Sequence, residues 1–190
     1  MPCNRASRSI LWRRRARRWA ASPRPSCCRS LIGQPARHAV PASDAFATTS
    51  VRNVVVDSGF LIGLFDEKDP LHGRCRAFLR DYRGRFLTTE AVLTEALALL
   101  SHAQQLRCLD WLGDAAQAGL LVVDRDRVDF RAVEKLARKY ADQPMDFADA
   151  SVVLLATRSG VREILTADRR DFAVYRVSGR VRFIDVLAGE

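Results

Sequence analysis

The sequence predicts an α/β domain over residues 51–190, a three-layer α/β/α sandwich around a central, mostly parallel sheet. Three observations predict it. Short apolar runs recur along the chain and several end in an acid: Val54-Val55-Val56 before Asp57, Leu121-Val122-Val123 before Asp124, and Ile164-Leu165 shortly before Asp168. Between them lie segments of helical length whose apolar residues recur at helical spacing. No apolar run approaches the ~18–20 residues that span a bilayer, so a membrane bundle is excluded as the source of the apolar content.

The elements follow in order. Asn53–Asp57 reads as a strand and Ser58–Phe65 as an apolar helical turn. Asp69-Pro70 opens a helix carried by Leu71, Cys75, Phe78, Leu79 and Tyr82, since proline suits a first helical turn. Arg85–Thr89 is a second strand, and Glu90–Ser101 a helix with Ala91, Leu93, Leu97 and Leu100 on its apolar side. Ala103–Ala118 continues as helix until Gly119. Leu120–Asp124 forms a third strand and Phe130–Tyr140 a further helix. Within Gln143–Thr157, Val152, Val153, Leu154, Leu155 and Ala156 point all round a helix, which must then be buried on most sides. Arg162–Asp168 is a strand, and Val181–Asp185 is placed to close an edge.

The net charge of +9 suggests affinity for nucleic acid, but its distribution changes that reading. Residues 1–50 hold ten arginines, no lysine and one acid, Asp44, and so account for the whole excess. Residues 51–190 hold 21 basic and 21 acidic side chains and are formally neutral. A uniformly basic binding face is therefore not expected, and phosphate affinity must be local. Residues 1–50 are rich in Arg, Ser, Ala and Pro without periodicity and read as a disordered extension. A misassigned upstream start is favoured over a basic RNA-binding arm or an organelle transit peptide, because the compact pattern begins at Val51, whose codon can serve bacterial initiation. The five cysteines form no CxxC pair and no Cys/His metal spacing. Cys75 and Cys108 read as buried thiols, which suits a reducing cytoplasm.

The chemistry lies in the acids. Ligands of open α/β sheets sit beyond the carboxyl ends of the strands, where Asp57 and Asp168 fall. Either one alone is also explained as a turn or cap residue. Glu95 sits between Leu93 and Leu97, where an unpaired carboxylate is costly, so it needs a partner, an arginine or a metal. Glu90, about 140° away on the helical wheel, cannot share a site with it. Asp146 and Asp149 lie about 60° apart in the first turn of the most apolar helix, consistent with a capping box. Capping accounts for one of them comfortably. Asp57, Glu95, Asp149 and Asp168, if clustered, repel unless a cation neutralises them, and oxygen-only donors favour Mg²⁺ or Mn²⁺ over Zn²⁺. No P-loop, GxGxxG or GxSxG follows a strand.

With "VVVDSGFLIGLFDEKDPLH", "LTTEAVLTEALALL" and "MDFADASVVLLATRSGVREILTADRRDF" in sequence, residues 52–186 resemble the PIN-domain ribonucleases, including the VapC-type toxins of bacterial toxin–antitoxin pairs. The resemblance implies an acidic Mg²⁺ or Mn²⁺ pocket built from Asp57, Glu95, Asp149 and Asp168, and endonucleolytic hydrolysis of RNA. It implies a cognate antitoxin and a homodimer, with Leu61, Leu64, Phe65 and Leu79 as dimer candidates beside the default of core packing. Asp146 and Ser58 are expected as outer-shell groups, and Arg169, Arg170, Arg83 and Arg85 either as guides for the RNA backbone or as solvated surface charge. Ser58-Gly59 stands where Thr-Asn is more usual in such toxins. An RNA-processing nuclease without antitoxin and a non-catalytic interaction module are the alternatives.

Overall fold

A computed structural model of the chain describes residues 52–143 and 145–188; the Arg-rich extension lies outside them. Five strands form the main sheet: β1 (Asn53–Val56), β2 (Arg85–Thr89), β3 (Leu121–Asp124), β4 (Glu163–Leu165) and an edge strand at Ile184–Asp185. Their order is β3-β2-β1-β4 and then the edge strand, and every pairing is parallel. Parallel strands need crossovers, supplied by α1 (Ser58–Phe65), α2 (His72–Asp81), α3 (Glu90–Leu99), α4 (His102–Gln117), α5 (Phe130–Lys139) and α6 (Phe147–Ser159). This is the α/β sandwich the alternation predicts.

Burial explains the apolar runs. Val54, Val55 and Val56 are all at 1 % exposure or less, as a central strand covered on both faces requires. Helix α6 lies against β1 and β2 and packs on α3 and α5. Val152, Val153, Leu155 and Ala156 are fully buried around its circumference, as its unbroken apolar run requires. Elsewhere α1 packs on α2 and α4, and Phe60, Phe78, Tyr82, Phe86 and Trp111 form a chain of ring contacts, with Phe78 and Tyr82 stacked at 4.9 Å. Leu61 and Leu64 belong to the core, whereas Phe65 and Leu79 are only half-buried. Cys75 and Cys108 are buried free thiols, as expected.

Three local features differ from the sequence reading. The strand expected over Arg162–Asp168 ends at Leu165, because the following residues turn to cap a short helix, α7 (Arg169–Val174). Six residues are too few to show helical periodicity, so the pattern does not reveal that helix. The run Val181–Asp185 is divided. Its first half, β6 (Val181–Arg182), pairs back antiparallel on β5 (Arg176–Val177), and its second half, β7 (Ile184–Asp185), forms the sheet edge beside β4. The hairpin turns through Ser178 and Gly179, both at positive φ (50° and 72°), a conformation that favours glycine.

Candidate active site

The strand order places the site. From β1 the chain builds outward through β2 to β3, then returns to add β4 on the opposite side of β1. The carboxyl ends of β1 and β4 therefore flank the point where the winding reverses, where open parallel sheets leave a crevice. Asp57 follows β1 directly, and its backbone N–H donates to the Leu165 carbonyl at 3.0 Å, which locks the two strand ends together.

Close packing tightens this junction. A Cβ at Gly59 would lie 2.5 Å from the Ala167 Cβ and 2.9 Å from its backbone nitrogen. Only glycine lets α1 start this close to the Thr166–Asp168 turn. The departure at Ser58-Gly59 thus has a structural use in this chain.

Asp57 is only 5 % exposed. Its Oδ2 accepts from the Thr166 hydroxyl at 2.8 Å, and Thr166 Oγ1 in turn accepts from the Asp168 backbone N–H at 2.9 Å. The Ser58 hydroxyl is a longer partner, 3.5 Å from Asp57 Oδ1. Asp168 caps α7 by accepting from the Asp171 N–H. Asp149 and Asp146 form the reciprocal capping box of α6: Asp146 Oδ1 accepts from Asp149 N at 2.8 Å, and Asp149 Oδ2 accepts weakly from Asp146 N at 3.5 Å. The pair caps the buried helix, and the Asp146 charge also acts on Asp57 and Glu95.

The electrostatics unite most of the set. Burial pushes the Asp57 carboxyl up to about 6, with the Asp146 charge adding to the rise. Burial likewise pushes Glu95 up to about 7, reinforced by the charges of Asp146 and Asp57 and eased by the Ser58 hydroxyl. Asp149 is raised well above the carboxylate range by burial, then by Asp146 and Asp57. Asp168 is raised by partial burial, with Asp171 as its charged neighbour, although its residue surface is largely exposed. Its link to Asp57 runs through Thr166. Asp146 is the like charge felt by Asp57, Glu95 and Asp149 alike, so it is more central than an outer-shell position suggests.

Glu95 needs a partner, and no arginine supplies one: among the described residues, no Lys or Arg makes a salt bridge to Asp57, Glu95, Asp146, Asp149 or Asp168. The donor set, all oxygen and all of one charge, suits a hard divalent cation. The side chains as they stand are turned toward the local donors just named, and among the described residues no three His, Cys, Asp or Glu converge closely enough to ligate one ion together. A shared ion requires them to exchange those contacts for it.

Four polar residues of the site carry no motif of their own. Thr166 orients Asp57. Thr89 caps α3 by accepting from Val92 N and bonds Ser151 Oγ at 2.7 Å, tying α3 to α6. Tyr175, fully buried, donates to Asp149 Oδ2 at 3.4 Å. The only sequence signal for Thr89 and Thr166 is a polar residue at the end of an apolar strand. Of the arginines expected to guide RNA, Arg169 is paired with Asp185 at 2.9 Å, though without the alignment of a hydrogen bond, and Arg83 donates to the carbonyls of Arg80 and Tyr82. Arg170 stays exposed beside a shallow hollow lined by Asp142, Gln143, Asp171 and Val174.

A parallel sheet with acids at its switch point defines an open α/β domain. The family model of the PIN domain matches residues 54–177, so the chain belongs to the PIN-domain family. A curated relative, ribonuclease VapC26 of Mycobacterium tuberculosis (strain ATCC 25618 / H37Rv), is 27 % identical over 131 residues, spanning 68 % of this chain and 97 % of the relative. The crystal structure of Mycobacterium tuberculosis VapC20, a Sarcin-Ricin loop cleaving toxin, superposes with a TM-score of 0.51 at 19 % identity, covering 62 % of this chain and 92 % of that one. The second likeness bears on the fold alone.

Proposed function

We propose that this protein is a Mg²⁺- or Mn²⁺-dependent endoribonuclease, the toxin of a type II toxin–antitoxin pair. The observation that carries the proposal is a set of carboxylates at the switch point of a PIN-family sheet without a basic partner among the described residues. Asp57, Glu95, Asp149 and Asp168 would hold the ion, with Asp146 and Ser58 beside them. When bound, the ion supplies polarisation of the scissile phosphate and a lowered pKa for water. The chain's own residues do the rest. Thr166 fixes one oxygen of Asp57 by donating to Oδ2. Tyr175 restrains Asp149 from the side of the core. Glu95 would complete the site as a ligand or orient the attacking water.

The relative VapC26 is named a ribonuclease, which supports RNA as the substrate. Toxin–antitoxin pairing extends that likeness. A groove of about 710 Å³ lined by Leu64, Phe65, Leu79 and Trp111, with Arg76, Arg80 and Arg107 among its walls, offers an apolar floor and basic groups for an antitoxin segment. A homodimer and a cytoplasmic location belong to the same reading. No described helix is long and apolar enough to cross a membrane.

The test is calorimetric titration of Mg²⁺ and Mn²⁺ alongside cleavage of a mixed RNA pool, for wild type and for Asp57→Ala and Asp149→Ala. Metal binding and cleavage by the wild type, both lost in the variants, are expected. A wild type that binds no metal and variants altered only in stability would leave the acids as caps and the domain as an interaction module.

A further inference from the structure

Phe130 and Phe147 are stacked in open solvent. Their ring centroids are 6.4 Å apart at 25°, and the residues are 71 % and 44 % exposed. Phe130 begins α5 and Phe147 begins α6, which places Phe147 directly after Asp146 and two residues before Asp149. Paired exposed aromatics beside a polar crevice mark a binding surface more often than scattered apolar residues do.

The charges around the pair narrow the ligand. In the loop leading to Phe130, Asp124 and Asp126 are both ion-paired to Arg158, and Asp129 caps α5 through the N–H groups of Arg131 and Ala132. Its acids thus engaged, the loop leaves Arg125 and Arg127 exposed and without an acid partner among the described residues. Two stacked rings flanked by unpaired guanidinium groups match a base with its phosphates: the π-face takes the base and the arginines take the backbone. A second copy of the chain fits less well, since a two-ring patch falls far short of the ~800 Å² per partner of a stable interface, and symmetric contact would bring like-charged arginines together.

We infer that Phe147, supported by Phe130, is a stacking platform for an unpaired base of single-stranded RNA next to the carboxylate crevice, with Arg125 and Arg127 on its phosphates. The inference rests on the nuclease reading and deepens it. Phe147 is a positioning residue in this scheme and touches no reacting atom. A duplex substrate, with its bases already stacked, gains nothing from the platform.

The experiment uses the full chain and a fluorescein-labelled single-stranded RNA pool. Anisotropy gives binding, and cleavage gives KM and kcat for wild type, Phe147→Ala, Phe147→Leu and Phe147→Trp. The expected result is a rise of roughly five- to hundredfold in Kd and KM for both Ala and Leu, with kcat nearly unchanged and Trp close to wild type. Cleavage by the wild type with Phe147→Ala or Phe147→Leu at wild-type KM overturns the platform and leaves the nuclease reading standing. A change of oligomeric state in Phe147→Ala, seen by size-exclusion chromatography without a change in KM, assigns the patch to a second copy and also overturns it. RNA bound but never cut removes the nuclease reading while Phe147→Ala still tests the platform through Kd. A wild type that binds no RNA removes both.

Discussion

Glu95 and Glu134 are both mid-helix glutamates, and the molecule treats them oppositely. Glu134 on α5 is bonded by Arg131 and Arg138, one turn before and after it, and those arginines hold its carboxyl below the usual range. Glu95 on α3 has apolar neighbours and like charges, and burial holds it up near 7. The contrast extends over the whole domain. At the periphery Asp124 and Asp126 meet Arg158, Glu163 meets Arg52, and Asp185 meets Arg169. At the crevice no base is supplied by the described residues. Among the described residues the arginines that pair with acids do so at the periphery, so the crevice acids are left in a like-charge environment that lowers stability.

The comparison is sharpened most by removing one crevice charge at constant shape. Asp57→Asn is expected to lower RNA cleavage by roughly 10²–10⁴-fold, the range corresponding to several kcal/mol of lost transition-state stabilisation. The same substitution removes a buried unpaired charge, so the melting temperature without added metal should hold or rise. Thermal melts beside cleavage assays check both halves, and a loss of both activity and stability would contradict the idea of a charged site at odds with folding.

Titration gives the next largest effect. Asp57 titrates near 6 in the fold and near 4 in the unfolded chain, so between those values the folded state holds the extra proton. Stability contributed by this group is therefore greatest below about pH 4 and falls as pH rises through 6, by about 1.4 kcal/mol per unit within the window. Urea melts in chelator from pH 4 to 8, compared with Asp57→Asn, should show the slope in the wild type and a reduced slope in the variant.

Gly59→Ala addresses the junction of the two strand ends. Its Cβ has no room against Ala167, and overpacking of this kind costs about 1–3 kcal/mol. A lower denaturation midpoint together with reduced cleavage is expected, since the shift separates Asp57 from the Asp168 turn. Smallest of all should be Glu134→Gln, at the solvated ion pairs of α5. No measurable change in cleavage or melting temperature is expected there, because exposed pairs contribute little.

Much of this was legible in the sequence. Valine-rich runs ending in acids are what a parallel sheet covered on both faces requires, and the apolar circumference of α6 announced its burial before any neighbour was known. The capping box at Asp146 and Asp149 could also be read, because its partners lie three residues apart. Tertiary structure decided the rest. That β4 returns beside β1, placing Asp57 next to Thr166, depends on strand order, which periodicity does not encode. Helix α7 and the Ser178-Gly179 hairpin are too short to leave a pattern. That no described arginine pairs with Glu95, that Asp146 shares its charge with three acids, and that Phe130 pairs with Phe147 are long-range facts. A sequence states which charges and rings exist and which face of an element they occupy; only the folded chain determines which of them meet, because Coulomb forces and contact fall off with distance in space, not along the chain.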